Sequence, residues 1–170
     1  MKITQKLILL FVWLSTANFS FSQDSSDTAK INFIKTQFSA INSNLNSFKK
    51  VEVEDTAETT EGNEVVKYFS GNEIEKIKAV YYGETGKATD EYYFFNNKLI
   101  FYYRAVYRYD VPIYANNGKV KTRLAEETRY YFNGDKIFLA RLNPKRVVPQ
   151  AEYQKMSVET QKEAGRMIKL

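Results

Sequence analysis

Residues 93–100 read YFFNNKLI, and the same pattern occurs twice more without gaps, as KYFSGNEI at 67–74 and YYFNGDKI at 130–137. Each copy places aromatic residues before a two-residue polar step and ends on an isoleucine. Asn and Gly tolerate the positive φ angles of a type I′ turn, whose twist suits two antiparallel strands. The repeat therefore predicts three tight antiparallel hairpins. Their turns are expected at Gly71, Asn97 and Gly134.

The spacing of the copies favours a meander over a solenoid, because they begin 26 and then 37 residues apart. Counting outward from the second turn pairs Tyr93 with Ile100. The same count in the third hairpin places Glu126 opposite Arg141, which is a favourable cross-strand charge pair. The turns thus predict a register as well as a topology.

Residues 92–95 and 99–103 are apolar or aromatic at every position and do not alternate with polar residues. Strands of this kind are usually covered on both sides. We therefore place this hairpin in the middle of the sheet. A helix upstream is expected to cover one face, and a curl of the sheet or the C-terminal segment to cover part of the other.

Both segments that flank the strands have helical spacing. Upstream, large apolar residues recur at intervals of four, three, four and three: Ile34, Phe38, Ile41, Leu45 and Phe48. Asp27 is the expected N-cap. Downstream, residues 151–168 are rich in helix formers, and one face is expected to carry Tyr153, Met156, Ala164 and Ile168. The predicted fold class is α+β, a meandering antiparallel β-sheet of six to eight strands flanked by an N-terminal and a C-terminal helix.

Residues 1–22 have the features of a secretory signal peptide: a basic start, an apolar run over residues 7–14, and small side chains at Ser20 and Ser22. The apolar run is much shorter than the roughly 20 residues of a membrane-spanning helix. We expect a mature single domain over residues 23–170, without a transmembrane segment. Its expected location is exported, in the periplasm or outside the cell.

Histidine and cysteine are both absent from the 170 residues. Ser-His-Asp triads, thiolate nucleophiles, ordinary zinc sites and disulfides are thereby excluded. The acidic turn at residues 52–58 lacks the spacing of a calcium loop, so no metal and no cofactor is predicted. The formal net charge is only +5 and the charges are mixed along the chain, which argues against a nucleic-acid partner.

The stretch from Tyr102 to Asp110 is the first candidate binding element. On a strand three of its tyrosines, at 103, 107 and 109, share one face with Ala105, while its two arginines share the other face with Tyr102. A row of tyrosines on an open face suits stacking on sugar rings or an aromatic protein contact, although a covered face would also explain it. The following loop, residues 110–114, is apolar and stiff, and we expect it to serve either as a recognition element or as a plug of the core. The predicted binding residues are Tyr103, Arg104, Tyr107, Arg108, Tyr109, Asp110, Ile113 and Tyr114.

Four carboxylates form a second candidate, because they could face one another across neighbouring strands: Asp90, Glu91, Glu126 and Glu127. A pair about 5–9 Å apart would allow glycosidase chemistry. Solvated strand ends or simple charge pairs explain the same residues, so no catalytic residue is predicted.

The N-terminal segment ending Phe-Ser-Gln, the single amphipathic helix and the Tyr-Phe-Asn-Gly steps together resemble a known group of proteins. These are the small exported, tyrosine-rich β-hairpin proteins of Bacteroidetes-type bacteria, whose function is uncharacterised. The resemblance covers most of residues 23–170 and is strongest at 64–114 and 127–142. It implies an exported, periplasmic location and brings no active-site signature.

The sequence therefore predicts a non-catalytic binding or accessory module of the bacterial envelope, whose partner is a protein or a cell-wall glycan. An inhibitor of a hydrolase such as lysozyme is the first alternative. A glycosidase that uses carboxylates alone is the second.

Overall fold

Seven strands in chain order form a single antiparallel sheet with one long helix on each face. The structure is a computed structural model that describes residues 21–55, 59, 61–115 and 119–170. The elements are α1 (Phe21–Ser43), β1 (Lys49–Val53), β2 (Asn63–Ser70), β3 (Glu73–Gly83), β4 (Gly86–Phe95), β5 (Lys98–Tyr109), β6 (Thr122–Asn133), β7 (Lys136–Asn143) and α2 (Gln150–Lys169). The expected signal peptide lies outside the described residues except for its last two. The predicted α+β meander is confirmed.

A row of tyrosines across the three central strands forms the core on the α2 side. Tyr92, Tyr102 and Tyr130 lie directly opposite one another on β4, β5 and β6. Their ring centroids are 5.1 and 5.5 Å apart along the row. Ala164 and Met167 of α2 pack into the same cluster.

A second aromatic row, one residue along each strand, forms the core on the α1 side. Tyr93, Phe101 and Tyr131 are register partners with ring centroids 5.6 and 5.0 Å apart. Ile34 and Ile41 of α1 are buried against them. Because successive side chains point to opposite faces, each aromatic doublet in the sequence supplies one ring to each helix. The prediction that the central hairpin is covered on both sides is confirmed.

Each copy of the repeat makes a two-residue turn, as predicted, but two of the three turns lie one residue further along. The turns are formed by residues 71–72, 96–97 and 134–135. Asn96 and Asn97 have φ angles of 49° and 58°, and Gly71 and Gly134 have 59° and 58°. The predicted need for positive φ angles at these steps is therefore confirmed.

A β-bulge beside each of these turns changes the register that the sequence predicts. One residue in the second strand of each hairpin has no partner: Glu75, Ile100 and Phe138. Tyr93 therefore lies opposite Phe101 instead of Ile100. Arg141 lies opposite Arg129, so the predicted pair of Arg141 with Glu126 is wrong.

Both helices differ from their predicted faces in detail. α1 is already helical at Phe21, so Asp27 lies inside the helix and pairs with Lys30 instead of capping the N-terminus. In α2, Met167 is fully buried, whereas Ile168 is 42 % exposed. The prediction for Ile168 was wrong because the small residues of α2 set its buried stripe.

Two hydrogen bonds, one from the N-terminal half of α2 and one at its C-terminal end, fix its course across the sheet. The Ile137 amide of β7 donates to Ser157 Oγ at 2.9 Å. At the other end, Lys67 Nζ of β2 donates to the carbonyl oxygen of Ile168 at 2.9 Å. The helix therefore crosses from β7 to β2 over the half of the sheet that carries the repeat turns. No helix in the described part of the chain is long and apolar enough to cross a membrane.

Candidate functional site

A cleft of about 560 Å³ lies between α2 and the central strands β3–β6, and we call it the α2 cleft. It opens where α2 leaves the outer half of the sheet uncovered. The four tyrosines that line it come from four neighbouring strands: Tyr81, Tyr92, Tyr102 and Tyr130. The site is thus built on the rigid centre of the fold.

An ion pair on the sheet forms the floor of the α2 cleft. Arg104 Nη1 donates to both carboxylate oxygens of Asp90, at 3.0 and 2.8 Å. Tyr102 Oη donates to Asp90 Oδ1 at 3.1 Å. Burial raises the pKa of Asp90, and the charge of Arg104 and the Tyr102 hydrogen bond oppose that shift. Arg104 keeps part of its guanidinium exposed to the cleft.

A second ion-pair cluster closes the α2 cleft at the C-terminal part of α2. Arg166 binds both oxygens of Asp55 at 2.6 and 3.0 Å, and also binds Glu163 at 2.6 Å. The Asp55 side chain is completely buried. Hydrogen bonds to Asp55 and Glu163 raise the pKa of Arg166. Both guanidinium groups of the cleft are therefore already neutralised by carboxylates, which makes a simple anion site unfavourable.

Several hydroxyl groups in the cleft have no hydrogen-bond partner among the described residues. Tyr92 and Thr160 line it, and neither side chain forms a hydrogen bond with another described residue. The one fully buried side-chain polar atom without a partner in the described part of the chain is Thr59 Oγ1, which lines the same cleft. Thr128 and Tyr130 line the same space and are likewise unpartnered within the described chain. Buried polar groups almost always have a partner in the protein or in water. Thr59 Oγ1 departs from this rule, and the other hydroxyls of the lining remain available to water or a ligand in the cleft.

Of the eight predicted binding residues, the structure brings only Arg104 into the α2 cleft. Tyr103, Tyr107 and Tyr109 share the opposite, α1 side of β5, as their alternation predicts. Tyr103 Oη donates to Glu127 at 2.8 Å. Arg108 is exposed on the same face as Arg104, further from α2.

The predicted recognition loop is docked on the neighbouring β3–β4 turn. Asp110 Oδ1 accepts the amides of Val111 and Lys121, at 3.1 and 2.9 Å. The Ile113 amide donates to the carbonyl of Glu84 at 2.8 Å, and the Tyr114 hydroxyl donates to the Glu84 carboxylate. Tyr114 is nevertheless 67 % exposed. The loop is thus anchored at its base, with one ring left in solvent.

The predicted carboxylates do not converge as a group. Glu91 pairs with Lys76 at 3.0 Å, and Glu127 pairs with Arg129 at 2.7 Å. Both lie on the α1 side, on β4 and β6, with β5 between them. Among the four, only Asp90 lines the α2 cleft.

Sequence reasoning missed the part of the site that α2 contributes. Thr160, Glu163 and Arg166 come from this helix. Its predicted face was right at Met156 and Ala164 and wrong at Ile168. The sequence does contain a signal for the buried face of α2. Three small residues and then Met167 follow one another at intervals of three, four and three positions. This buried stripe consists of Ser157, Thr160, Ala164 and Met167.

The part of the chain that the structure describes contains no group of three or more acidic residues placed to hold a metal ion. Comparison with protein-family models, with curated proteins and with solved structures finds no match for this chain. The geometry of the site is therefore the basis on which a function can be assigned.

Proposed function

We propose that this protein is a non-catalytic saccharide-binding module of the bacterial envelope, exported from the cytoplasm, which binds a cell-wall glycan in the α2 cleft. The observation that carries the proposal is the set of unpartnered hydroxyls facing a space lined by tyrosines. Tyr92 and Thr160 line the cleft without a side-chain hydrogen bond in the described chain, and Thr59 Oγ1 on the same lining is buried without a partner.

A carbohydrate matches this lining in hydrogen-bonding chemistry. Sugar hydroxyls both donate and accept, so they can pair with the hydroxyls of Tyr92, Thr128 and Thr160. The exposed nitrogens of Arg104 are further donors, and the Glu163 carboxylate is a further acceptor. Charged groups that hydrogen-bond a neutral hydroxyl make stronger bonds than neutral groups do.

The aromatic walls and the charge balance favour the same class of ligand. Tyrosine rings offer apolar faces with a polar edge, which suits the mixed surface of a sugar ring. The positive charges of the two guanidinium groups are compensated by Asp90, Asp55 and Glu163. Binding an anion here would therefore cost more electrostatic free energy than binding a neutral ligand. The volume of about 560 Å³ falls in the range of roughly 300–1,000 Å³ that small-ligand sites occupy.

Removing single hydroxyls tests the proposal without emptying the core. The double variant Tyr92→Phe/Thr160→Val keeps the aromatic ring at position 92 and nearly the same side-chain volume at position 160, but loses both hydroxyl groups. We expect affinity for N-acetylglucosamine oligosaccharides, measured by titration calorimetry, to fall about tenfold or more, since each hydrogen bond contributes roughly 0.5–1.5 kcal/mol. The melting temperature should not fall, because neither hydroxyl is paired within the described chain.

Tyr114→Phe is the matched control, because it removes a tyrosine hydroxyl that lies outside the cleft. Its affinity should equal that of the unmodified protein. Equal affinity of the double variant would contradict the proposal. So would the absence of any binding to neutral cell-wall oligosaccharides at millimolar concentration.

Glycoside hydrolysis is a second candidate, favoured by one observation in the same cleft. Burial raises the pKa of Asp90, and the charge of Glu163 raises it further. A carboxyl group with a raised pKa beside a second carboxylate is the arrangement of an acid–base pair. Release of reducing ends from a bound oligosaccharide, lost in Glu163→Gln, would establish catalysis and displace the binding proposal.

A further inference from the structure

The geometry points to a second binding surface on the α1 side of the sheet, and we propose that it holds an extended acidic polysaccharide. Five residues lie directly opposite one another there, one on each of strands β3 to β7: Lys78, Glu91, Tyr103, Arg129 and Arg141. We call this set the basic row. With strands about 4.8 Å apart, it spans about 19 Å across the sheet.

A like-charge pair at one end of the basic row is the first observation. Arg129 and Arg141 are direct cross-strand partners, an arrangement that disfavours folding. Glu127 compensates Arg129 through a salt bridge at 2.7 Å. Arg141 is exposed, lies over the ring of Tyr131 at 5.7 Å, and has no carboxylate partner among the described residues. The pair does not help the fold, so an anionic ligand accounts for it better.

An uncompensated lysine at the other end of the row is the second observation. Lys78 lies opposite Glu91, but the Glu91 carboxylate is bound by Lys76 at 3.0 Å and by the Tyr93 hydroxyl at 2.5 Å. Within the described chain Lys78 forms no salt bridge. Two rows further along the same face, Lys87 is also without a carboxylate partner in that part of the chain. Positive charge is therefore spread along the row instead of converging on one point.

This spread determines the shape and class of the ligand. A small anion could reach Lys78 or Arg141 but not both, whereas a linear polyanion can cross the sheet and meet each cation in turn. Nucleic acids bind such surfaces by stacking bases on free aromatic rings. Here Arg129 lies over the Tyr103 ring at 5.4 Å and Lys87 lies over the Tyr107 ring at 5.8 Å. The rings are thus occupied, and the carboxylates or sulfates of a polysaccharide suit the cations that cover them.

Binding to polygalacturonate, measured by biolayer interferometry at two salt concentrations, tests the proposal. We expect the full chain to bind at 50 mM NaCl and to bind much less at 300 mM, because exposed charges are screened. In Lys78→Gln/Arg141→Gln, affinity at low salt should fall about tenfold, since both ends of the row lose their charge. Removing Arg141 also relieves the like-charge pair, so this variant should fold.

The matched control is Lys145→Gln/Lys162→Gln, which removes two exposed lysines from the loop before α2 and from α2 itself. It changes the net charge equally and should bind as the unmodified protein does. An equal loss in both double variants would overturn the proposal in favour of a general charge effect. Tighter binding of a single-stranded oligonucleotide would replace the polysaccharide with a nucleic acid, and no binding at low salt would refute the surface altogether.

This surface is independent of the α2 cleft, which lies on the other face of the sheet. Tyr92→Phe/Thr160→Val should therefore keep its affinity for polygalacturonate. If that variant loses both ligands together, the two sites are not separate and the inference fails.

Discussion

Two neighbouring tyrosines show how much the environment of a residue decides its role. Tyr92 points to the α2 side and leaves its hydroxyl unpartnered within the described chain. Tyr93 points to the α1 side, where it accepts from Lys76 at 2.8 Å and donates to Glu91 at 2.5 Å. Burial raises the pKa of both phenols and lowers that of Lys76. One side chain is available to a ligand, and the other holds α1 to the sheet by accepting a hydrogen bond from Asn42 Nδ2 at 3.2 Å.

Gly86 is the residue whose substitution the fold should tolerate least. A Cβ atom at this position would lie 2.3 Å from the backbone oxygen of Tyr107, and backbone cannot move aside as a flexible side chain can. We expect Gly86→Ala to lower the free energy of unfolding by about 1–3 kcal/mol, measured by urea denaturation. Gly165→Ala is the opposite control: nothing lies within 4 Å of its Cβ, so it should stabilise α2 by about 0.5–1 kcal/mol. A neutral result at Gly86 would show that β4 and β5 can separate locally.

The hairpins show how far a sequence determines its elements. The three polar steps predicted three turns, because Asn and Gly accept a backbone conformation that other residues resist. They did not predict the bulges at Glu75, Ile100 and Phe138. A one-residue shift normally moves apolar side chains to the wrong face. In β5 both faces are buried, so the predicted register and the bulged register both bury its apolar side chains. The sequence therefore carries no signal that distinguishes the two registers.

The α2 cleft was less predictable than the sheet for a related reason. Arg104 and Asp90 could be named because they lie in strands with a clear alternation. Thr160 and Arg166 depend on which side of α2 faces the sheet, and that choice rests on small residues that carry little hydrophobic signal. The sequence thus identified half of the site, and helix packing supplied the rest.

Ser157 provides a test of how α2 is attached. Its Oγ accepts the buried amide of Ile137 at 2.9 Å and donates to the carbonyl of Tyr153 at 2.6 Å. Ser157→Ala leaves that amide without a partner, so we expect a loss of about 1–3 kcal/mol in the free energy of unfolding. Faster hydrogen exchange at Ile137 should accompany it. Ser47→Ala removes an exposed serine that bonds only to Asn44, and its cost should stay below about 0.5 kcal/mol.

At the scale of the whole molecule, the two faces of the sheet have different chemistry. Every cation–π pair among the described residues lies on the α1 side, where lysine or arginine side chains cover tyrosine and phenylalanine rings. The α2 side instead carries compensated arginine–carboxylate pairs and unpartnered hydroxyls. One sheet therefore presents a polar, neutral cleft on one side and a row of cations on the other.

Alkaline pH should unfold the protein cooperatively. Burial raises the pKa of Tyr92, Tyr93 and Tyr102 above the ordinary value of 10.0. Their stabilising contribution is therefore fully present below pH 10 and is lost as the pH rises further, because only the unfolded chain can ionise them. Each of these buried phenols should lower the free energy of unfolding by about 1.4 kcal/mol for every pH unit above 10. Phenolate absorbance at 295 nm should include a step that coincides with loss of the circular dichroism signal. Complete ionisation of all 13 tyrosines in a folded protein would contradict this expectation.

Chain-order pairing of the strands also has a kinetic consequence. In the described part of the chain, each of the seven strands bonds only to strands adjacent to it in sequence, so the sheet can grow by successive local pairings. Proteins whose contacts are local in this sense fold quickly for their size. The slow events are then the returns of α1 and α2, whose partners are distant in sequence: Lys67 meets Ile168 across 101 positions. We therefore expect the bulged β-sheet to form first, without its helices. In the final step α1 and α2 should pack against its two faces.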